Sequence, residues 1–183
     1  MGCPHALTVT HNPDLFTFGG YLAPVPLYLV RHAKAGSRHD FDGDDIDRPL
    51  TSAGRKQAAE LATRLAAALP TVIVSSPFRR CVETLEPLAV AIGGELLIDA
   101  RLGEMPTEQV EPDVGLIELL HSLPDRAVLC SHGDVIPAVI NLLSEEGMKV
   151  HGPAQWSKAS VWVLQREAQR FVDARAWPPP ELE

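Results

Sequence analysis

Apolar residues along this chain follow two alternating rhythms. Short continuous runs, Leu27-Tyr28-Leu29-Val30, Val72-Ile73-Val74 and Ala127-Val128-Leu129-Cys130, have the length and branched content of buried strands. Between them, Ala58, Leu61, Ala62, Leu65 and Leu69 recur at spacings of three and four. That spacing predicts a helix capped by Thr51 or Ser52 and running to about Leu69, where Pro70 ends it. Further helices are expected over residues 78–92, 114–123 and 135–143, with Pro87 bending or interrupting the first of these. Short strands are expected over 71–75 and 95–98, and a late pair over 160–164 and 170–174 joined by a polar turn. Strands alternating with helices predict an α/β fold, a three-layer α/β/α sandwich around a mostly parallel central sheet.

Three of the predicted strands run directly into polar residues. The first ends in Arg31-His32-Ala33-Lys34, the second in Ser75-Ser76-Pro77 followed by Arg79-Arg80, and the late one in Ser131-His132-Gly133. Ligands of α/β sheets bind in the crevice beyond the carboxyl ends of the strands, so two histidines and several arginines there form a candidate site by position. Guanidinium groups match phosphate oxygens with paired hydrogen bonds, and the helix after Gly133 adds an anion-binding amino terminus. A neutral imidazole is a competent nucleophile toward phosphorus, forming a phosphoramidate that water can cleave. The blander alternatives are histidines satisfied at a strand end and arginines paired with acidic neighbours. Residue pattern alone leaves open which histidine would attack.

Composition narrows the picture. The chain has 183 residues, 45% of them hydrophobic, enough for one core. Residues 1–24 lack periodicity and read as a peripheral extension, 25–175 as a single domain, and 176–183, with Pro178-Pro179-Pro180, as a tail. A net charge of -8 argues against a nucleic acid polymer or an anionic membrane as partner, but allows a local cationic pocket. The three cysteines, Cys3, Cys81 and Cys130, suit neither a disulfide framework nor a zinc site. With no secretory pattern at the start and no apolar run near the ~20 residues a membrane span needs, a cytoplasmic location is expected. The acidic loop 36–47 fails the calcium-loop template, which wants Gly and Glu where, counting from Asp40, Asp45 and Thr51 stand. It is expected to be a solvated loop at the site mouth. No metal and no cofactor is expected.

Four ordered stretches, Leu29-Val30-Arg31-His32-Ala33-Lys34-Ala35, Arg48-Pro49-Leu50-Thr51 with Gly54, Gln57 and Ala58, Arg80-Cys81-Val82-Glu83-Thr84 after Ser-Ser-Pro, and Ser131-His132-Gly133, resemble the histidine phosphatase superfamily, most closely its small SixA-type phosphohistidine phosphatases. The resemblance spans about residues 27–165. It implies a phosphoglycerate mutase-like fold and a metal-independent phosphatase in which His32 is the nucleophile. His132 would be the second pocket histidine, with Arg31, Arg80, Gly133, Lys34 and Arg48 binding substrate. The Arg-x-x-x-Thr spacing to Thr84 selects Arg80 over Arg79. Glu104, in Leu102-Gly103-Glu104, matches the general acid of many relatives. Ala33 and Arg38 stand where mutase-like members carry Gly and Asn, which argues against mutase activity. His5, His11, His39, His121 and His151 have no motif support and are expected to be ordinary surface or loop residues.

The implied partner is a phosphorylated protein or a small phosphorylated metabolite, with protein phosphohistidine as the first expectation. The runs at Glu86-Pro87-Leu88-Ala89 and Asp134-Val135-Ile136-Pro137 also resemble the phosphatase-like domain fused to certain Nudix hydrolases, which makes nucleotide phosphates the alternative. A third reading is a phosphate-binding module without turnover.

Overall fold

The computed structural model describes residues 25–106, 108–109 and 111–182; the expected amino-terminal extension, with Cys3, His5 and His11, lies outside them. In chain order the elements are β1 (Val25–Arg31), α1 (Ser52–Ala66), β2 (Ile73–Ser75), α2 (Arg79–Ile92), β3 (Leu96–Ile98), α3 (Val114–Ser122), β4 (Val128–Ser131), α4 (Val135–Glu145), β5 (Lys149–His151), β6 (Val161–Glu167) and β7 (Arg170–Trp177), with single 3-10 turns at Asp45–Asp47 and Ala100–Leu102. The strands form one sheet in the order β3-β2-β4-β1-β6-β7-β5. Pairing is parallel from β3 through β1 and between β5 and β7, and antiparallel where β6 meets β1 and β7. The sheet is therefore mostly parallel, as expected.

Alternation along each central strand explains the three layers. Leu27, Leu29, Leu129, Trp162 and Leu164 face one layer with α3 and α4, whereas Tyr28, Val30, Val128, Cys130, Val161 and Val163 face α1 and α2. Strands buried on both faces must be apolar at every position, which is why they read as continuous runs. No helix among the described residues is long and apolar enough to cross a membrane.

Several boundaries differ from the sequence expectation. α1 stops at Ala66 rather than near Leu69: Ala68 and Leu69 close tighter turns onto Leu65 and Ala66, and Leu69 is left-handed (φ 53°) and 73% exposed, outside the apolar stripe. α2 runs unbroken through Pro87. Its opposite face, Cys81, Thr84, Leu85, Leu88 and Ala89, is buried, and packing there holds the turn that the missing N–H weakens. β7 extends through Trp177, into the segment read as tail; that ring packs 5.6 Å from Tyr28 and under the Arg64 guanidinium at 4.0 Å. β5 is an exposed three-residue edge strand that no apolar pattern announces.

One contact ties the fold to the site. Thr51 caps α1 by accepting from Gly54 N, and its N–H and hydroxyl both donate to the Lys34 carbonyl at 2.9 and 3.0 Å. Gly54 packs so tightly on that peptide that a Cβ would sit 2.9 Å from the Lys34 carbonyl carbon and overlap its oxygen. The general gain from Gly to Ala inside a helix is ~1 kcal/mol, but a clash against main chain typically costs ~1–3 kcal/mol. Gly54→Ala is therefore expected to lower stability, read as an earlier urea midpoint; a later midpoint would mean that the helix start can retreat from Lys34.

Candidate active site

Because β2, β4 and β1 are neighbours and parallel, their carboxyl ends lie side by side, and the residues after them meet. Arg31 is level with Ser131, and the His32 N–H donates to the Ser131 carbonyl at 3.1 Å. The two imidazoles that follow, His32 and His132, lie 5.5 Å apart between ring centroids, and both are buried. Beyond β2, Ser76 places its hydroxyl 2.8 Å from His132 Nε2, and the Phe78 ring stands edge-on to His132 at 4.7 Å.

Arg80, in the first turn of α2, has no solvent exposure. Its Nη2 donates to Glu104 Oε1 at 2.5 Å and lies 3.5 Å from His132 Nδ1, while Nη1 meets the Asp45 carboxylate at 3.0 Å and the Asp45 carbonyl at 2.8 Å. One turn later, Thr84 donates to the Arg80 carbonyl and accepts the Ala33 N–H at 2.9 Å, tying the strap after His32 to α2. This is the physical content of the Arg-x-x-x-Thr spacing. Arg79, by contrast, is exposed and pairs with Glu83.

Among the described residues Arg31 pairs with no carboxylate; its guanidinium donates to the Trp156 carbonyl and lies against Gly133, where a Cβ would sit 2.5 Å from Arg31 Cζ. Only glycine leaves room for that seat. The Nε atoms of Arg31 and Arg80 are buried with no hydrogen-bond partner among the described residues, the condition expected of donors meant for an anion. Arg48 is nearly buried, held by Asp45 at 2.8 Å and the Gly36 carbonyl at 2.6 Å. Lys34 is exposed and does not line the open space; its main chain, rather than its side chain, is what the fold engages. The open space, about 460 Å3, is lined by Arg31, His32, Arg38, Arg48, Glu104, Met105, Gly133, Asp134 and Lys158, above the more deeply buried Arg80 and His132.

Several features escaped the sequence reading. The loop 36–47 is not merely solvated: Asp45 reaches in to pair with Arg38, Arg48 and Arg80, and the hydrogen bond from Arg38, with the other guanidiniums, holds its carboxyl well below the usual range. Glu104 is bridged between Arg80 and Arg38, its loop fixed by Ser131 Oγ donating to the Leu102 carbonyl and by Met105 N–H donating to Asp134. Among the unassigned histidines, His39 is exposed, His151 pairs with Asp173, and His121 packs at a tilt against Phe171. Among the described residues, no three His, Cys, Asp or Glu side chains group as metal ligands.

Residues 27–116 match the histidine phosphatase superfamily, branch 1. The chain belongs to the histidine phosphatase superfamily. It is 32% identical over 155 residues to an 8-oxo-(d)GTP phosphatase of Mycolicibacterium smegmatis, covering 84% of this chain and 48% of that protein. In structure it is similar to a candidate phosphohistidine phosphatase SixA from Agrobacterium tumefaciens (TM-score 0.61, 24% identity, 82% of this chain and 97% of the other). It is also similar to a mycobacterial glucosyl-3-phosphoglycerate phosphatase (TM-score 0.58, 22% identity, 83% and 96%). The chain spans less than half the length of the curated relatives it matches.

Both histidines are held neutral. Burial, opposed by the Ala33 carbonyl and reinforced by Arg80, Arg31 and Lys158, pushes His32 down to about 3; burial, Arg80 and His32 push His132 down to about 2. The ordinary value, 6.5, holds in the unfolded chain, which therefore binds more protons than the folded one throughout that interval. The stability these groups contribute is full above pH 6.5 and lost as pH falls toward their folded values. Denaturant titrations at pH 7 and pH 5, above the carboxylate range, should show a loss of up to about 2 kcal/mol per histidine. His132→Gln should lose correspondingly less; an unchanged slope would show that His132 protonates normally in the fold.

Proposed function

We propose that this chain is a phosphatase that carries the phosphoryl group on His32. The observation that supports this most strongly is the 2.8 Å bond from His32 Nδ1 to the Ala33 carbonyl. A carbonyl only accepts, so Nδ1 carries the proton and the Nε2 lone pair remains available. Nε2 attacks phosphorus in line, and the P–N bond forms as the bond to the leaving atom breaks. Arg31, Arg80 and His132 hold the phosphoryl oxygens, exchanging carbonyl and carboxylate partners for the substrate. Water then cleaves the P–N bond, releasing orthophosphate and neutral His32. The gathering of Arg31, His32, Arg80 and His132 at one sheet edge favours turnover over phosphate binding alone.

For the substrate, the likeness to the 8-oxo-(d)GTP phosphatase, at 32% identity over most of this chain, favours nucleotide phosphates. Protein phosphohistidine is the second reading, supported by the Ala33-Lys34-Ala35 run. Acid quenching of the wild-type chain with a nucleoside triphosphate, a phosphohistidine peptide and nitrophenyl phosphate is expected to trap acid-labile phosphate on His32 from its preferred substrate. His32→Ala should abolish the adduct and cost several orders of magnitude in turnover. Trapping on another residue would overturn the assignment.

In this reading Glu104, beside Arg80 and 3.6 Å from His132, gives a proton to a poor leaving group. An alkoxide needs that proton and nitrophenolate does not. Glu104→Gln should slow nucleoside monophosphate cleavage by ~10²-fold and largely spare nitrophenyl phosphate. Equal losses would mark Glu104 as a binding or structural partner of Arg80 instead.

A further inference from the structure

Lys158 carries no sequence signal, yet it lines the same cavity as Arg31, His32, Arg48 and Glu104. The loop that bears it, between β5 and β6, is fixed at many points. Trp156 packs on Trp162 at 4.8 Å, and the Gln155 carbonyl accepts from both Ser160 Oγ and Trp162 Nε1 at 3.1 Å. Arg31 donates to the Trp156 carbonyl, and Ser160 N–H closes a turn onto Ser157 at 3.0 Å. At the centre, buried Ala159 is left-handed (φ 67°), a conformation that costs a residue with a Cβ ~1–2 kcal/mol and persists only where the surroundings impose it. The Ala159 N–H imposes it by reaching the carbonyls of Arg31 at 3.1 Å and His32 at 3.2 Å. A strained turn bonded to the nucleophile's own backbone thus sets where Lys158 stands.

Its electrical surroundings are one-sided. Among the described residues Lys158 makes no ion pair, and burial, then Arg31, Arg48, Arg80 and Lys34, depress its ammonium pKa. The other cations in the cavity wall, Arg38 and Arg48, are already matched by Asp45 and Glu104. Arg80 and His132 are buried behind the lining, at most 1% exposed, whereas Lys158 is half-buried in the cavity wall itself. A half-buried cation among like charges is stabilised by an incoming anion, and in the proposed phosphatase site the transferring phosphoryl group is already served by Arg31, Arg80 and His132.

We infer that Lys158 forms a second anion subsite, which takes the phosphate next to the one transferred, so that the site suits phosphoanhydride chains such as nucleoside di- and triphosphates. This rests on reading the cavity as a phosphatase site, and its test does not depend on turnover. Calorimetric titration of the intact chain with inorganic phosphate and inorganic pyrophosphate should show pyrophosphate binding ~10-fold or more tightly. Lys158→Gln should remove that preference while weakening phosphate by no more than about threefold, and Lys158→Arg should retain it. Equal weakening of both anions, or no change in either, would overturn the subsite. Failure to trap phosphate on His32 would strike the phosphatase reading and leave this comparison of binding standing.

Discussion

A guanidinium with no access to water governs the architecture of this site. Burying the Arg80 charge costs several kcal/mol, and only close partners offset it. Glu104 at 2.5 Å, the Asp45 carboxylate at 3.0 Å and carbonyl at 2.8 Å, and the Phe78 face at 4.4 Å supply them. These partners come from the loop after β1, the loop after β3 and the turn before α2. One buried charge therefore holds three segments around the sheet edge, and removing any one partner strands it.

The same charge prepares the chemistry. Low dielectric at the strand ends first, and Arg80 in addition, keep both imidazoles neutral, the state that a nucleophile toward phosphorus requires. In the proposed mechanism Glu104 and an arriving phosphoryl group would compete for one guanidinium, so the resting ion pair sets an interaction that substrate would have to exceed. Arg31 differs: its partner is a neutral carbonyl, which yields to a dianion at lower cost. The site thus contains one guanidinium already compensated by carboxylates, Arg80, and one, Arg31, that has no such partner among the described residues.

The sequence by itself determined the layered α/β frame and the cluster at its edge, because both rest on local signals. An apolar run that stops at Arg31-His32 or at Ser131-His132 places those side chains at strand ends whatever the rest of the chain does, and the four-residue step from Arg80 to Thr84 is one helical turn. Tertiary structure decided the rest. Asp45 looks like any acid of a polar loop until Arg80, 35 residues away, is buried beneath it. Ser76 meets His132 across 56 residues, and Arg31 meets the loop bearing Lys158 across 125. Pro87 stays within a helix because the packed opposite face outweighs a lost hydrogen bond, and Leu69 leaves its helix because Arg126 takes its carbonyl at 2.9 Å. Periodicity registers which face of an element is apolar; it holds no record of which distant charge will need a partner, and that need is settled only when the fold removes the water.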